Sequence, residues 1–203
     1  MKTSKIKQVF VLVIGFLVLG NESWAYEGAP LKVQIDSITK MSSFNKAKVL
    51  HAAEVLQQVV NSDAFNARIL NFHHEVTGAQ EFQDNLGLSN LEVLEKLRSG
   101  VETLKPDVDD TMNFTLSGYI KWNPFSSTIG ETSPDVSEIG MANSFVRNAT
   151  TSDIVGNLMH EWTHKAGFDH SFEYNERRNS SVPYAVGSIA CEIAAELTQE
   201  PCN

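Results

Sequence analysis

Three histidines, one glutamate and one glycine lie close together in the stretch HEWTHKAGFDH, which spans residues 160 to 170. The whole chain has 6 histidines, so half of them fall in this stretch. His160 and His164 are four positions apart, which places both imidazoles on one face of a helix, one turn apart. Because zinc accepts neutral imidazole nitrogens in a tetrahedral shell, two such rings can reach a single ion.

The other residues of the stretch fit an open, catalytic metal site. Gly167 allows a sharp turn that a side chain would resist, and this turn can bring His170 back as a third ligand. Three protein ligands leave the fourth position of a tetrahedral ion open for water. Glu161 lies between the helical histidines, where its carboxylate can take a proton from water as a general base. We therefore predict His160, His164 and His170 as zinc ligands and Glu161 as a catalytic residue.

The pattern His-Glu-x-x-His-x-x-Gly-x-x-His resembles the long zinc-binding motif of the metzincin metallopeptidases. The resemblance implies a zinc-dependent endopeptidase with a zincin-like α+β fold. In that fold a mixed sheet and a backing helix lie above the cleft, and the active-site helix and a C-terminal helix complete it. Metzincins also have a methionine-bearing turn below the zinc, but no methionine follows Met159 in this chain. The chain is therefore interpreted as a divergent branch of the group.

Residues 181 to 184, with the sequence SVPY, stand where that methionine-bearing turn is expected. Pro183 suits the first position of a helix, and apolar residues continue at helical spacing as far as Leu197. We expect this loop to do the packing of the missing turn. In some relatives a tyrosine near the turn donates a hydrogen bond to the developing oxyanion, so the resemblance gives Tyr184 this catalytic role. A Tyr184 that only packs its ring is the alternative.

Other residues are weaker candidates for the metal site. Asp169 is a fallback ligand beside His170, and Glu192 or Glu196 could supply a third ligand as in thermolysin-like enzymes. His170 at the right spacing makes that scheme unnecessary. The remaining histidines are expected to be surface or core residues without a metal role, and two arginines are expected to be solvated loop charges: His51, His73, His74, Arg177 and Arg178.

The first 25 residues have the pattern of a secretion signal. Lysines at positions 2, 5 and 7 precede a twelve-residue apolar run from Val9 to Gly20, and Ser23-Trp24-Ala25 is a small-x-small cleavage site. The run is shorter than the roughly 20 residues of a membrane-spanning helix, which disfavours an uncleaved anchor. We expect a secreted or periplasmic protein with no stable membrane anchor.

The remaining residues, 26 to 203, are expected to form one domain. Their net charge is −11, since the whole chain carries −9 and the signal carries +2. This acidity argues against a nucleic-acid partner, and a monomer that acts on a peptide or protein is expected. Cys191 and Cys202 are expected to form a disulfide in an oxidising compartment, with two free thiols as the alternative.

Hydrophobic spacing predicts the elements that position the site. Mixed helices and strands without regular alternation indicate an α+β fold. The last predicted strand is expected at the sheet edge, where it could pair with an extended peptide. The predicted strands are residues 31–35, 67–72, 111–116 and 139–146, and the predicted helices are residues 44–60, 89–100, 150–165 and a C-terminal helix after Pro183.

The leading functional hypothesis is an exported zinc endopeptidase in which Glu161 first takes a proton and then donates it to the leaving amine. The alternative is an exported zincin-like protein that binds metal or a partner without cutting it. A third possibility is a latent enzyme whose residues 26 to about 45 block the cleft in a regulatory role.

Overall fold

The computed structural model describes residues 29–73, 78, 81–121 and 129–203, so the predicted secretion signal and His74 lie outside it. The described residues form an α+β fold with a four-stranded mixed sheet and seven helices. The strands are β1 (Lys32–Thr39), β2 (Thr111–Tyr119), β3 (Gly130–Glu131) and β4 (Glu138–Ala142). The helices are α1 (Ser43–Val60), α2 (Asp63–Leu70), α3 (Asn90–Arg98), α4 (Asn143–Asn148), α5 (Thr151–Lys165), α6 (Glu176–Asn179) and α7 (Val182–Thr198).

The sheet has the strand order β1-β2-β4-β3, in which the first three strands run parallel and β3 runs antiparallel to β4. Alternate residues of β2, Met112, Phe114 and Leu116, are fully buried, which places the core on one face of the sheet. Helices α1 and α5 pack against each other and contribute to the same core.

Helix α5 carries the histidine motif and begins with a capping box. The Thr150 side chain accepts a hydrogen bond from the backbone of Asp153, and the Asp153 side chain accepts one from the Thr150 backbone. Its apolar face, including Leu158 and Trp162, is fully buried. The helix stops at Gly167, whose φ of 94° is the left-handed conformation that glycine adopts readily. The structure thus confirms the predicted helix and its glycine stop.

A buried ion pair holds the C-terminal end of α5 against the sheet. Lys165 Nζ lies 2.8 Å from a carboxylate oxygen of Glu102 and donates to the carbonyl of Asn113 at 2.6 Å. The backbone N–H of Thr103 donates to the carbonyl of Lys165 at 2.8 Å. Because both ions of the pair are enclosed and hydrogen-bonded, the end of α5 is fixed just before the Gly167 turn.

Helix α7 lies in close contact with α5 because each helix has a glycine at the crossing. A Cβ added to Gly187 would lie 3.0 Å from the carbonyl oxygen of Gly156 and 3.1 Å from Cβ of His160. A Cβ added to Gly156 would lie 2.8 Å from Cβ of Cys191. The start of α7 therefore sits directly beside the first histidine of the motif.

The C-terminal tail returns to the N-terminus of α5. A disulfide joins Cys191 of α7 to Cys202, the pairing expected from the sequence. The Glu200 carboxylate accepts a hydrogen bond from the Thr151 backbone, and the Asn203 backbone donates to Asp153 at 2.9 Å. Carboxylates at this end of a helix meet its free N–H groups and the positive end of its dipole.

Two predicted strands are wrong in whole or in part. Residues 67–72 lie mostly in helix α2, because Ser62 caps the helix and Phe65 and Ile69 bury one face at a spacing of four. The strand predicted for residues 139–146 ends at Ala142, and α4 follows it.

Strand β4 is also not the edge strand, since β3 pairs with it and lies outermost. The segment from residue 26 to about 45 was considered as a block of the cleft. Its residues 32–39 form β1 and pair with β2 at the opposite edge of the sheet. None of the helices in the described part of the chain is long and apolar enough to cross a membrane.

Candidate functional site

Three histidine rings from α5 and the turn after it converge on one point. His160 and His164 lie one helical turn apart, with their Nε2 atoms separated by 3.3 Å. His170 returns beside them, at ring-centroid distances of 5.3 Å from His160 and 4.9 Å from His164. One nitrogen of each ring lies within 4.8 Å of the other two, so the three together could hold a metal ion. The predicted ligand set is therefore brought together by the fold.

Backbone carbonyls orient each of these rings. Nδ1 of His164 donates to the carbonyl of Phe168 at 2.9 Å, and Nδ1 of His170 donates to that of Ser171 at 3.0 Å. His160 makes a backbone hydrogen bond to Pro183, which has no N–H and so accepts through its carbonyl. A carbonyl cannot donate, so the bonded ring nitrogens carry the protons. Nε2 of His164 is then left with a lone pair, which points toward Nε2 of His160 at 3.3 Å and could bind a cation placed between the rings.

Burial also keeps the histidines neutral. Burial, followed by the nearby charges of His164 and His170, lowers the pKa of His160 to about 3, against a smaller opposing effect of the Pro183 hydrogen bond. Burial likewise lowers the pKa of His164. At neutral pH these imidazoles are uncharged, which is the form that binds a metal ion.

Glu161 is buried next to the histidines, with 3% of its surface exposed. Asn157, one turn earlier on α5, donates to its carboxylate at 3.4 Å, and Gly130 of β3 lies so close that an added Cβ would overlap the carboxylate. Burial raises the pKa of Glu161 to about 8; the Asn157 hydrogen bond opposes this rise and the charge of Glu131 adds to it. A divalent cation on the histidines would lower this pKa again, because an opposite charge favours the carboxylate.

Comparison of the chain with known protein families, curated proteins and solved structures gave no match. The chemistry of the site therefore follows from its own residues. The donor set is three imidazoles, which suits zinc and other borderline transition metals better than magnesium or calcium. A buried carboxyl group beside such a cluster is suited to moving protons.

Tyr184, the second predicted catalytic residue, lies at the start of α7 beside the histidines. Its ring meets His160 edge-on at a centroid distance of 4.6 Å and His170 at 4.7 Å. Among the described residues its hydroxyl has no hydrogen-bond partner. Pro183 occupies the second position of α7 rather than the first. The ring thus packs against two histidines, and the hydroxyl is free to donate to another group.

The fallback ligands lie outside the histidine cluster. The Asp169 carboxylate is exposed and lies 4.0 Å from Nδ1 of His164, the nitrogen that already donates to a carbonyl. Glu192 and Glu196 both pair with Arg68 on α2. The described histidines outside the motif, His51 and His73, are exposed and do not join the cluster.

Sequence reasoning missed three neighbours of the site. Asn157 could have been found, because it stands four positions before Glu161 on the same helix. Gly130 gave no signal, since its contact depends on how β3 pairs with the sheet. Arg178 was expected to be a solvated loop charge, and this is wrong: it is half-buried, with its guanidinium carbon 4.1 Å from the centre of the Tyr184 ring.

Proposed function

We propose that the protein is an exported zinc-dependent endopeptidase with a zincin-like fold of the metzincin type. The observation that carries the proposal is the convergence of three imidazole rings beside the buried carboxyl group of Glu161. The metal ligands are His160, His164 and His170. The fold also supports the proposal, because it contains the elements that the motif resemblance implies: a sheet, a backing helix (α1), the helix that carries the motif (α5) and a C-terminal helix (α7).

The chain's own residues provide the proton transfers of peptide hydrolysis. Zinc, when bound, supplies Lewis acidity that makes water more acidic and polarises the peptide carbonyl. Glu161 takes a proton from the attacking water and passes it to the leaving amine. Its burial excludes competing solvent, and Asn157 fixes one of its oxygens. The free hydroxyl of Tyr184 donates a hydrogen bond to the oxyanion as it develops.

Export is supported by two independent features. The first 25 residues have the pattern of a secretion signal. The disulfide between Cys191 and Cys202 is compatible with an oxidising compartment. We propose that the protein acts outside the cytoplasm.

The decisive experiment combines zinc analysis with peptide cleavage. Mature protein is loaded with zinc and incubated with an unbiased peptide library, and the products are identified by mass spectrometry. Glu161→Ala is the matched variant, because it removes the proton acceptor and leaves the three histidines in place. Cleavage by the parent that is lost in Glu161→Ala supports the proposal. Identical product patterns for the two proteins would contradict it, and zinc binding without any cleavage would favour a non-catalytic metal or partner-binding protein.

The first prediction concerns the ligand set. His170→Ala should bind zinc far more weakly than the parent, because two histidines and solvent replace a three-histidine site. Zinc content after dialysis against a chelator measures the effect. Arg177→Ala is the control, since Arg177 pairs with Asp84 at the surface. Full zinc occupancy in His170→Ala would point to Asp169 as the third ligand instead.

A further inference from the structure

Arg178 lies against the rings of Tyr174 and Tyr184, the second of which packs against the histidine cluster. Its guanidinium carbon is 4.0 Å from the centre of the Tyr174 ring and 4.1 Å from the centre of the Tyr184 ring. A guanidinium stacks on aromatic faces through cation–π attraction, and its planar shape suits this contact better than a lysine ammonium does. The two rings therefore hold the positive group in a fixed orientation.

The charge of Arg178 has no counter-ion among the described residues. Its Nε is enclosed without a hydrogen-bond partner, and no carboxylate lies within ion-pair distance of the guanidinium. The neighbouring Arg177 pairs with Asp84, and Arg68 pairs with two glutamates of α7. Partial burial of an unpaired cation costs free energy, and it is unexpected in a chain of net charge −9, where acidic partners are abundant. The missing counter-ion therefore points to an external anion.

Because of the location of Arg178, this anion would bind next to the histidine cluster. Tyr184, which contacts the guanidinium, also contacts His160 and His170 at 4.6 and 4.7 Å between ring centres. The guanidinium is therefore within roughly 9 Å of the metal ligands, a length that about three residues of extended peptide cover. A group bound there would belong to the same substrate molecule as the peptide bond at the metal.

We propose that Arg178 forms a specificity subsite that binds a carboxylate of the substrate within about three residues of the bond that is cut. The planar fork of an arginine pairs with a carboxylate through two parallel hydrogen bonds. The carboxylate comes from an aspartate or glutamate side chain or from the free C-terminus of a short peptide. The inference rests on the proposed peptidase function.

The test measures selectivity on matched peptides. A pool of N-acetylated, C-amidated peptides is cleaved by zinc-loaded protein, and each peptide with a single glutamate is paired with the same peptide carrying glutamine. The parent should cleave the glutamate member faster, and Arg178→Met should lower the glutamate-to-glutamine ratio of kcat/KM by about 10- to 100-fold, as expected for loss of a charge-assisted pair. Arg178→Lys should keep part of the ratio, because it keeps the charge without the fork.

Arg177→Met is the matched control, since it removes a neighbouring arginine that already has a partner. It should keep the ratio of the parent. An equal ratio in the parent and Arg178→Met, or no preference for glutamate in the parent, would overturn the subsite for side-chain carboxylates. A second set of peptides with free acid or amide C-termini tests the other source, and a preference for the free acid that depends on Arg178 assigns the subsite to the terminal carboxylate. No dependence on Arg178 in either set overturns the inference.

A binding measurement separates this inference from the proposed function. The same pools are applied to immobilised, zinc-loaded Glu161→Ala protein, and retained peptides are counted by mass spectrometry. Retention of carboxylate-bearing peptides that is lost in the Glu161→Ala, Arg178→Met double variant supports the subsite even if the parent cuts nothing. Cleavage by the parent without any Arg178-dependent selection or retention leaves the peptidase proposal standing and removes the subsite.

Discussion

At the residue scale, the ring of Tyr184 contacts His160 and His170, while its hydroxyl has no partner among the described residues. Replacing it with phenylalanine keeps the ring contacts and removes only the hydroxyl. We expect Tyr184→Phe to keep its zinc content and Tm while turnover falls roughly 10- to 1,000-fold, the range for losing one oxyanion donor. Steady-state kinetics on a peptide found in the library screen measure the effect.

The packing role of the same residue is tested by removing the ring. Tyr184→Ala should lower the free energy of unfolding by several kcal/mol, roughly as for other large-to-small replacements. If the turnover of Tyr184→Phe stays within about threefold of that of the parent, the hydroxyl has no catalytic role and Tyr184 is a packing residue.

The three clustered histidines could be predicted from the sequence because they lie in one short segment. Helical spacing alone places His160 beside His164, and a single glycine turn returns His170. The neighbours from other segments could not be predicted in this way. Gly130 meets Glu161 only because β3 pairs with β4, and Arg178 meets Tyr184 only because α6 packs beside the start of α7.

At the element scale, strand β3 contacts helix α5 through a glycine. A Cβ on Gly130 would overlap the Glu161 carboxylate and lie 2.7 Å from the Asn157 amide nitrogen. We expect Gly130→Ala to displace the carboxylate and lower kcat by about 10- to 100-fold, since misplacing a catalytic group by about 1 Å has effects of this size. Zinc content should not change, because the atoms nearest the added Cβ belong to Glu161 and Asn157 rather than to the histidines.

Thr132→Ala is the control for this variant. It alters a residue beside β3 whose hydroxyl donates to the carbonyl of Glu138 at the surface. Its kcat should stay close to that of the parent. A normal kcat in Gly130→Ala would show that the strand can shift away from α5 without disturbing Glu161.

The elements that the sequence predicted well are those with local signals. Apolar spacing and capping residues predict helices α1, α3, α5 and α7, and alternation predicts β1. The strand predicted at 139–146 failed because long-range contacts decide its end. Asn143 donates to the carbonyl of Lys40, and its own carbonyl accepts from Asn45. Local propensity cannot show such contacts between distant segments.

At the scale of the whole molecule, the disulfide ties the C-terminal tail to two helices. Cys202→Ser frees the tail, and we expect the free energy of unfolding to fall by about 2 to 3 kcal/mol, as loop entropy predicts for a short loop. Urea unfolding under non-reducing conditions measures the loss. Zinc content should be kept, because the tail meets the end of α5 that is roughly 13 Å along the helix from His160. Unfolding of the parent that does not change on reduction would contradict the prediction.

Asp153 should make the stability of the whole fold depend on pH. Burial tends to raise its pKa, but hydrogen bonds from Asn203 and Thr150 outweigh this and leave the pKa below the ordinary 3.8. A carboxyl group with a lowered pKa in the folded state stabilises it above the unfolded-state pKa and loses that effect as the pH falls. Asp153→Asn should therefore be less stable than the parent at pH 7. The difference should shrink below about pH 4. A difference that is constant from pH 7 to pH 3 in urea unfolding would contradict this.

The carbonyls that orient the three imidazoles belong to the main chain, at Phe168, Ser171 and Pro183. In many metal sites a carboxylate side chain orients the ligating histidine instead, and mutating that residue typically weakens metal affinity about 10- to 100-fold. Here no single codon change can delete the acceptor, since every amino acid supplies a carbonyl. The site should therefore be unusually tolerant of sequence drift around its ligands. In a scan of all substitutions, the positions that lose zinc should be few and should centre on the three histidines themselves.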